Sequence, residues 1–433
     1  MNQILLIAFR NLMAHRRRTL LLGGAIAGVT AVLVLLLSLT NGLKATMLET
    51  STTLSSGHVN VGGFYKVTSG QSSPIVTEYP KLIELIKNEV PELDYVTQRG
   101  RGWAKIVSDT GSRQVAVGGL DVETEPGFRK VVNVVKGRME DLKEPNTVLI
   151  FEDHSKKLGL EIGDMLTISA PTLRGTNNTA DVRVVAIAKD MGMMSAWTTY
   201  VSTQTLRQLY QLRDDTTGAI YLYLKDVKDV AKVQQTLREK LPQAGFVLMD
   251  NDPRAYWMKF ELVNREGWTG QKLDITNWED EISFVMWVLQ ILGGITSVLT
   301  TVLLVIIAVG IMNTLWIAIR ERTREVGTLR AIGMQRRRVL LMFMTEAVML
   351  TLSATIIGAL FASGICLLIN AQNIAAPEPV QMMLLKETWF LKVELPSVAQ
   401  AILVITVCSM LVSLIPSFLA ARMKPVTAMH HIG

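Results

Sequence analysis

Two long apolar runs separated by a short arginine-rich stretch constrain this chain more than any other feature. The runs are Ser283–Ile319 and Val339–Ile369, and the stretch between them is Arg320–Arg338 (RERTREVGTLRAIGMQRRR), hereafter the basic island. Each run exceeds the roughly 20 apolar residues that a helix needs to cross a bilayer. Because Lys and Arg resist translocation, a loop this basic between two spans is expected on the cytoplasmic side.

Two further apolar blocks, Thr19–Thr40 and Ser397–Ala421, raise the expected number of spans to four. The first follows Arg16–Arg18, as the core of a secretory signal would. It is longer than the typical core of about 7–15 residues, and no clear small-x-small cleavage site follows it. We therefore expect a retained signal anchor.

The net charge of +6 is distributed unevenly among the predicted compartments. Residues 1–18, the basic island and the tail after residue 421 carry 13 Lys/Arg against two Glu, whereas residues 44–282 carry 29 basic and 32 acidic residues. This positive-inside distribution indicates cytoplasmic termini and argues against a nucleic-acid-binding patch. Both cysteines, Cys366 and Cys408, fall in predicted spans, so the outside domain is expected to fold without disulfides.

The predicted fold is an α-helical membrane protein with four transmembrane helices and a large α+β extracytoplasmic domain between the first and second helices. The expected segments are a cytoplasmic interfacial segment at 1–18, span 1 at 19–42, the outside domain at 43–282, span 2 at 283–319, a cytoplasmic loop at 320–338, span 3 at 339–369, a short outside loop at 370–396, span 4 at 397–421 and a cytoplasmic tail at 422–433. In the outside domain, strand signals such as Phe246–Met249 alternate with helix signals such as Val227–Leu241. Two lobes divided near Lys143–Asn146 are expected.

Two segments leave alternatives open. Met1–His15 has apolar residues at helical spacing, which is typical of a short interfacial helix or of a cytosolic extension of the first span. Trp287 and Trp316 lie 29 residues apart, or about 43 Å of helix. They indicate either a tilted span with two interfacial anchors or a rigid helix that continues into the outside domain.

Catalytic and metal-binding patterns are weak. The chain has no G-x-S-x-G and no H-E-x-x-H, and the adjacent side chains of Glu152–His154 point in different directions, so we expect no catalytic residue, no metal site and no enzyme. There is also no G-x-x-x-x-G-K-[ST] and no Gly-Lys pair, which excludes a P-loop. We expect no cofactor in this chain; if ATP drives the protein, another chain binds it.

Two sets of residues are candidates for contacts or proton chemistry. Glu346 is an ionisable residue within a span, so it is either functional or paired with arginines of the basic island, and we favour the pair. Met191, Met193, Met194 and Trp197 form an apolar stretch that suits contact with a substrate or partner, or the edge of a buried core.

The stretch Met312–Glu346 resembles the signature of FtsX/MacB/LolC-type ABC transporter permeases. The matching positions are Met312, Asn313, Glu321, Arg322, Arg324, Glu325, Gly327, Leu329, Arg330, Ala331, Gly333 and Glu346. Ala8–Leu12 with Arg18-Thr19, the C-terminal Pro416–Ala428 and the outside turn Leu158–Asp164 (LGLEIGD) resemble further family segments. The chain begins at the first span without a fused ATPase, as in LolC/LolE-like or stand-alone MacB-like permeases.

The resemblance implies a mechanism in which a helix after the second span docks in a cytosolic ABC ATPase that binds ATP and Mg²⁺. The residues expected to couple to that ATPase are Glu321, Arg322, Arg324, Glu325, Gly327, Arg330 and Gly333. The charges suit directed pairs with a partner, and the glycines permit close approach or a turn. A second permease subunit, as a homodimer or a LolC/LolE-like heterodimer, is a further implied partner, together with membrane lipids and a periplasmic adaptor or chaperone.

The expected function is that of a permease subunit in the bacterial inner membrane that couples ATP hydrolysis elsewhere to movements of its periplasmic domain. It would export or extract a lipophilic or peptide-like substrate, with lipoprotein release slightly favoured. One alternative is an FtsX-like regulator that activates a cell-wall hydrolase. Another is a drug or peptide efflux permease of a tripartite pump.

Overall fold

The computed structural model describes residues 2–14, 16–191, 195–377, 381 and 388–422. The chain divides into two compact units. The membrane unit comprises residues 1–45, 289–375 and 388–433, and the core-domain unit comprises residues 46–288 and 376–387.

The membrane unit is helical. Its helices, numbered along the whole chain, are α1 (Asn2–Ala14), α2 (Arg16–Ser51), α10 (Ser283–Glu321), α11 (Thr323–Ala331), α12 (Arg336–Gln372) and α13 (Leu395–Arg422). Within the described part of the chain, four helices are long and apolar enough to cross a membrane: α2, α10, α12 and α13. They pack around a core that includes Leu33, Val34, Ile311 and Ile405. The predicted fold class is confirmed, with the large domain between the first and second spans.

Three of these helices, α2, α10 and α12, are much longer than a membrane requires, and two of them, α2 and α10, also include residues of the core-domain unit. The 36 residues of α2 and the 39 residues of α10 correspond to about 54 and 58 Å of helix, against a hydrocarbon core of about 30 Å. In both helices the boundary between the two units falls inside the helix, at Ala45 and at Leu289. Of the two readings of span 2, the structure therefore favours the helix that continues into the outside domain.

The first and third spans approach each other closely at Gly358 of α12. A Cβ atom at Gly358 would lie 2.2 Å from the carbonyl oxygen of Ala27 in α2. Small residues allow such close backbone approach between membrane helices. This packing of α2 against α12 therefore requires glycine, which has no side chain, at position 358.

We expect Gly358→Ala to push α2 from α12 and lower the thermal unfolding temperature, at a cost of about 1–3 kcal/mol. Gly364→Ala, on the same helix, is the matched control because no atom lies within 4 Å of a Cβ there. Alanine has the higher helix propensity, so the control should be neutral or slightly stabilising. Equal shifts in detergent-purified protein would contradict a tight contact at Gly358.

The core-domain unit is built on one mixed sheet. Its strands are β1 (Val59–Thr68), β2 (Gln71–Ser73), β3 (Leu93–Val107), β4 (Ser112–Leu120), β5 (Val134–Gly137), β6 (Thr147–Phe151), β7 (Met165–Pro171), β8 (Asn177–Ala188), β9 (Thr198–Ser202), β10 (Ala219–Leu224) and β11 (Gly270–Asn277). The strand order is β11-β1-β10-β3-β4-β9-β6-β8-β5, with β2 paired to β1 and β7 to β3 and β8. The pairs β4–β9 and β6–β8 are parallel, and the others are antiparallel.

Helices cover this sheet: α3 (Tyr79–Glu89), α4 (Pro126–Val131), α5 (Glu152–Leu158), α6 (Thr203–Tyr210), α7 (Val230–Gln243), α8 (Phe260–Arg265) and α9 (Trp278–Glu281). A capping box sets the start of α9, because the side chains of Asn277 and Asp280 each accept a hydrogen bond from the other residue's backbone N–H. Helix α10 begins two residues after α9 ends. The cap therefore fixes the turn from the last strand into α9.

Two of the large hydrophobic cores of the domain show that its division differs from the prediction. One core contains Ala104 to Leu209 and surrounds the predicted boundary at Lys143–Asn146. The other combines residues 59–90 with residues 220–275. Strands β10 and β11, from the second half of the domain, pair with β3 and β1 from its first half. The predicted boundary is therefore wrong.

One predicted strand is also wrong. Phe246–Met249 forms only a single bridge, between Leu248 and Leu273 of β11. By contrast, the helix predicted at Val227–Leu241 is present as α7 after a short 3₁₀ turn.

Candidate coupling site

The basic island folds into the end of one span, a short helix and a turn. Helix α10 ends at Glu321, Arg322 leaves helical geometry (φ −105°, ψ 15°), and α11 begins at Thr323. Gly333 adopts a φ of +107°, a conformation that costs glycine little and other residues much. The turn at Gly333 ends this segment, and α12 begins at Arg336.

Arg322 joins the short helix to the third span. Its Nη1 donates to Oε2 of Glu346 in α12 at 3.2 Å, and its Nε donates to Oε2 of Glu325 in α11 at 3.0 Å. Arg322 and Glu346 are each 7% exposed. The structure thus gives Glu346 the arginine partner that the sequence interpretation favours.

Glu346 also borders a small, partly open cavity of about 30 Å³. The cavity is lined by residues of α1, α2, α10 and α12: Leu12, Thr19, Leu22, Ile26, Ile311, Thr314, Leu315, Ala318, Phe343, Glu346, Ala347, Leu350 and Thr351. Most of these side chains are apolar, and Glu346 is the ionisable one among them. Its carboxylate therefore faces the interior of the helix bundle.

A second hydrogen bond joins α11 to the fourth span. Nη1 of Arg330 donates to the carbonyl oxygen of Ala421 at 3.0 Å. Ala421 lies in the last turn of α13, where carbonyl groups lack helical partners and a cation is favourable. Val326 of α11 is buried with Ile319, Val339, Met342, Phe343, Ala420 and Ala421. Helix α11 is thus tied to three spans.

The opposite face of α11 and its flanking residues is exposed. The exposed residues include Glu321, Arg324, Glu325, Thr328, Ala331 and Ile332, and Ile332 is 81% exposed. Of the seven predicted coupling residues, Glu321, Arg324, Glu325 and Gly333 face outward. Arg322 and Gly327 are buried, and Arg330 is half-buried.

An open groove of about 430 Å³ lies beside this exposed face. Its lining residues come from α1, α10–α11 and α12: Ile7, Asn11, Arg322, Glu325, Val326, Thr328, Leu329 and Met342. The groove is large enough to receive several side chains of another protein. It combines an apolar floor with the Arg322–Glu325 pair at its edge.

The sequence interpretation missed the contribution of α1 to this groove. Ile7 and Asn11 lie four residues apart, beside the main apolar stripe that includes Ala8. Ala8 is fully buried, and α1 packs on α12. An apolar Ile7 outside the main stripe was the available signal.

The predicted contact residues of the core domain differ in their exposure to solvent. Met191 is 6% exposed and belongs to a hydrophobic core, as the alternative interpretation has it. Trp197 is 53% exposed. Met193 and Met194 lie outside the described residues.

The candidate metal ligands in Glu152–His154 also make contacts with different partners. Asp153 pairs with Arg113 and Lys157, while the fully buried His154 contacts the carbonyl oxygen of Ala196 through Nε2 at 3.1 Å. Burial lowers the pKa of His154 below its usual 6.5. Both residues therefore hold the domain together, and the described residues contain no group of three or more such ligands.

Two family models match the chain. The MacB-like periplasmic core domain matches residues 19–240, just over half of the chain, and the FtsX-like permease C-terminal domain matches residues 297–425. The second range contains α10 from residue 297 onward, the basic island and the whole of α12. The chain belongs to the family of FtsX-like ABC transporter permeases with a MacB-like periplasmic core domain.

Curated relatives agree with this family. A macrolide export ATP-binding/permease protein MacB from Chlorobaculum tepidum is 25% identical over 439 residues, covering 98% of this chain and 60% of the relative. The MacB of Bdellovibrio bacteriovorus is 23% identical over 84% of this chain and 53% of its own length. An uncharacterized ABC transporter permease of Bacillus subtilis, YvrN, is 33% identical over 33% of this chain and 30% of its own length. The chain spans less than two thirds of the length of these relatives.

Among solved structures, the periplasmic region of MacB from Actinobacillus actinomycetemcomitans matches with 12% identity and a TM-score of 0.32, covering 54% of this chain and 94% of that one. The extracellular domain of the transporter YknZ from Gram-positive bacteria matches with 14% identity and a TM-score of 0.30, covering 43% of this chain and 95% of that one.

Proposed function

We propose that this protein is the permease subunit of an ABC exporter that transmits the motion of an ATPase to its periplasmic domain. The observation that carries the proposal is the position of α11. This helix follows α10 directly, is held to α12 through Arg322–Glu346 and to α13 through Arg330–Ala421, and has a charged outer face. A partner that moves α11 would move three spans with it.

Helix α10 suits the transmission of that movement. It runs without interruption from Ser283 to Glu321, and its first six residues belong to the core-domain unit. A helix of about 58 Å links the two sides of a membrane mechanically. No path for a substrate through the spans is needed for such a mechanism.

The partner at α11 is proposed to be a cytosolic ABC ATPase that binds ATP and Mg²⁺, since residues 1–433 contain no P-loop. The exposed charges of Glu321, Arg324 and Glu325, together with the groove, offer directed contacts. This arrangement requires both termini in the cytoplasm. A second permease subunit, identical or LolC/LolE-like, membrane lipids and a periplasmic adaptor or chaperone complete the proposed assembly.

The proposed substrate is lipophilic or peptide-like. The LGLEIGD turn at Leu158–Asp164 favours lipoprotein release. Relatives that match over most of the chain are named for macrolide export, which favours a drug or peptide efflux permease of a tripartite pump as a second candidate. The FtsX-like regulator of a cell-wall hydrolase is a third, and the core domain of roughly 240 residues is larger than that role requires.

Charge reversal at the exposed junction of α10 and α11 tests the coupling. We expect Glu321→Lys and Arg324→Glu each to weaken ATPase binding about tenfold or more and to lower ATP turnover of the complex, because a charged hydrogen bond is worth about 1.5–3 kcal/mol. The measurement is ATPase binding and turnover for the permease in nanodiscs with the ATPase that co-purifies with it. Glu84→Lys, an exposed reversal on α3 of the core domain, should leave both unchanged. Unaltered binding in both reversal variants, Glu321→Lys and Arg324→Glu, would refute the coupling role.

Affinity purification from native membranes distinguishes the three candidate functions. A co-purifying lipoprotein supports release, a membrane-fusion adaptor supports efflux, and a murein hydrolase supports regulation.

A further inference from the structure

The core domain has a small exposed apolar protrusion just before its last strand. It consists of the 3₁₀ turn Tyr256–Met258 and helix α8 (Phe260–Arg265) and is called the knob below. Trp257, Met258 and Leu262 are 49%, 43% and 42% exposed. Residues 241–296 lie outside both matched family ranges.

Aromatic contacts hold the inner face of the knob on the sheet. Phe260 packs edge-to-face on Phe64 of β1 with ring centroids 5.3 Å apart. The guanidinium of Arg101 lies 3.8 Å from the ring centroid of Tyr256. Val263 is fully buried beside Phe64. The inner residues of the knob therefore belong to the core.

Buried polar contacts fix the knob further. Lys259 Nζ pairs with Oδ2 of Asp274 in β11 at 2.7 Å, and both side chains are almost fully buried. Lys66 Nζ donates to the carbonyl oxygens of Val263 and Glu266 at 2.8 and 2.6 Å. Because of these contacts the knob is a fixed part of the domain, unlike an irregular surface loop whose apolar side chains become exposed as it moves. The three outer side chains are held outward by a fixed scaffold.

The knob lies next to the start of the second span. The backbone N–H of Tyr256 donates to Oε2 of Glu281 at 3.5 Å, and α10 begins two residues later, at Ser283. Trp287, on the first turns of α10, is 58% exposed and is the outer member of the tryptophan pair that flanks this span. Four residues of helix separate Ser283 from Trp287, or about 6 Å.

The roughly 6 Å of helix between Ser283 and Trp287 matches the thickness of the lipid headgroup region. A bilayer of about 40–45 Å with a hydrocarbon core of about 30 Å leaves roughly 5–8 Å of headgroup on each side. Tryptophan favours this zone because its ring is apolar and its indole N–H is polar. The hydrogen bond from Tyr256 to Glu281 therefore places the knob beside the chain segment that enters this zone.

We propose that the knob is a membrane-surface anchor, which inserts Trp257, Met258 and Leu262 into the outer headgroup layer of the bilayer that α10 crosses. The occupant of this apolar surface is phospholipid. The neighbouring Glu261–Arg265 ion pair on the same helix lies among polar headgroups in this arrangement. The knob then holds the base of the core domain at the membrane while α10 moves.

Lipid accounts for the position of the knob better than a second copy of the chain or a transported substrate does. A surface for another protein could lie anywhere on the domain. This one is hydrogen-bonded to Glu281, which lies two residues before the start of a membrane-spanning helix. The other occupants are outcomes of the test.

The test places a fluorescent label on the knob in the full-length permease, reconstituted in liposomes after replacement of Cys366 and Cys408 by alanine. Met258→Cys and Met165→Cys carry the same environment-sensitive label. Met165 is the matched control: it is a methionine of the same domain, 56% exposed, on β7 in the other core. Emission is measured with headgroup-quenching phospholipids and, separately, with iodide in the water phase.

We expect the label at residue 258 to lose more emission to the lipid quencher, and less to iodide, than the label at residue 165. Adding Trp257→Gln and Leu262→Gln, which leaves the inner contacts of the knob in place, should restore iodide quenching at residue 258. Equal responses of the two labels to both quenchers would overturn the proposal. A label at residue 258 that is shielded from both would also overturn it and would indicate a protein partner. Only monodisperse preparations are compared, so misfolded variants do not enter the result.

Discussion

Replacing Glu346 with alanine is expected to destabilise the membrane unit by about 3–5 kcal/mol, because it leaves the Arg322 guanidinium buried without this carboxylate. Both side chains are 7% exposed and lie 24 positions apart in the chain. Their contact joins the α10–α11 junction to α12. A clear fall in the thermal unfolding temperature of purified permease is the expected readout, together with lower ATP turnover in the complex with the ATPase.

The double variant Arg322→Met, Glu346→Leu separates the ion pair from the packing. Replacing a buried ion pair by apolar side chains of similar volume is often neutral or stabilising. We therefore expect the double variant to recover most of the stability lost by Glu346→Ala. If the double variant were as unstable as the single one, Glu346 would have a role beyond its pairing with Arg322.

Removing Arg99 from the core domain should have an effect of similar size. Arg99 and Glu125 are each 2% exposed and form a bidentate pair, in which Nε of Arg99 donates to Oε1 of Glu125 at 2.6 Å. Nη1 of Arg99 also donates to the carbonyl oxygen of Leu54 at 2.8 Å. Leu54 belongs to the π-helical turn Thr52–Ser56 that directly follows α2. Arg99 thus connects the sheet to the chain that leaves the first span.

We expect Arg99→Leu to cost about 3–5 kcal/mol, because Glu125 would remain buried and unneutralised. Hydrogen exchange at residues 52–57 should rise, since the turn loses one of its donors. Arg183→Leu is the matched control: Arg183 pairs with Glu144 at 3.1 Å in the same domain, but both side chains are about half exposed. Exposed pairs contribute about 0–1 kcal/mol, so equal losses of thermal stability in the two variants would contradict the importance of the buried pair.

The membrane organisation could be predicted from the sequence because it depends on local properties. Length and apolarity define the spans whatever surrounds them. The family signature lies in one continuous stretch of sequence, Met312–Glu346. Helix α7 was predictable for the same reason, since its buried face repeats with helical period in Val230, Val233, Leu237 and Leu241. The predicted lobe boundary failed because the pairing of β10 with β3 joins residues more than a hundred positions apart.

The coupling residues illustrate the same limit. Their charges and spacing identify the segment, but they do not say which side of α11 each residue occupies once α12 and α13 pack against it. Arg322 and Arg330 look equivalent to Arg324 in sequence. In the structure the first two bind Glu346 and the Ala421 carbonyl, while Arg324 stays on the outer face.

The sequence by itself determined the class of this protein: four spans, a large domain between the first two, a basic island between the second and third, and no P-loop. Apolar runs, charge asymmetry and motifs carry that information because each acts over neighbouring residues. Only the tertiary structure decided which arginines anchor α11, that Glu346 is paired, and that the knob lies beside the start of α10. Burial and ion pairing between distant segments depend on distances through space, which the order of residues along the chain does not specify.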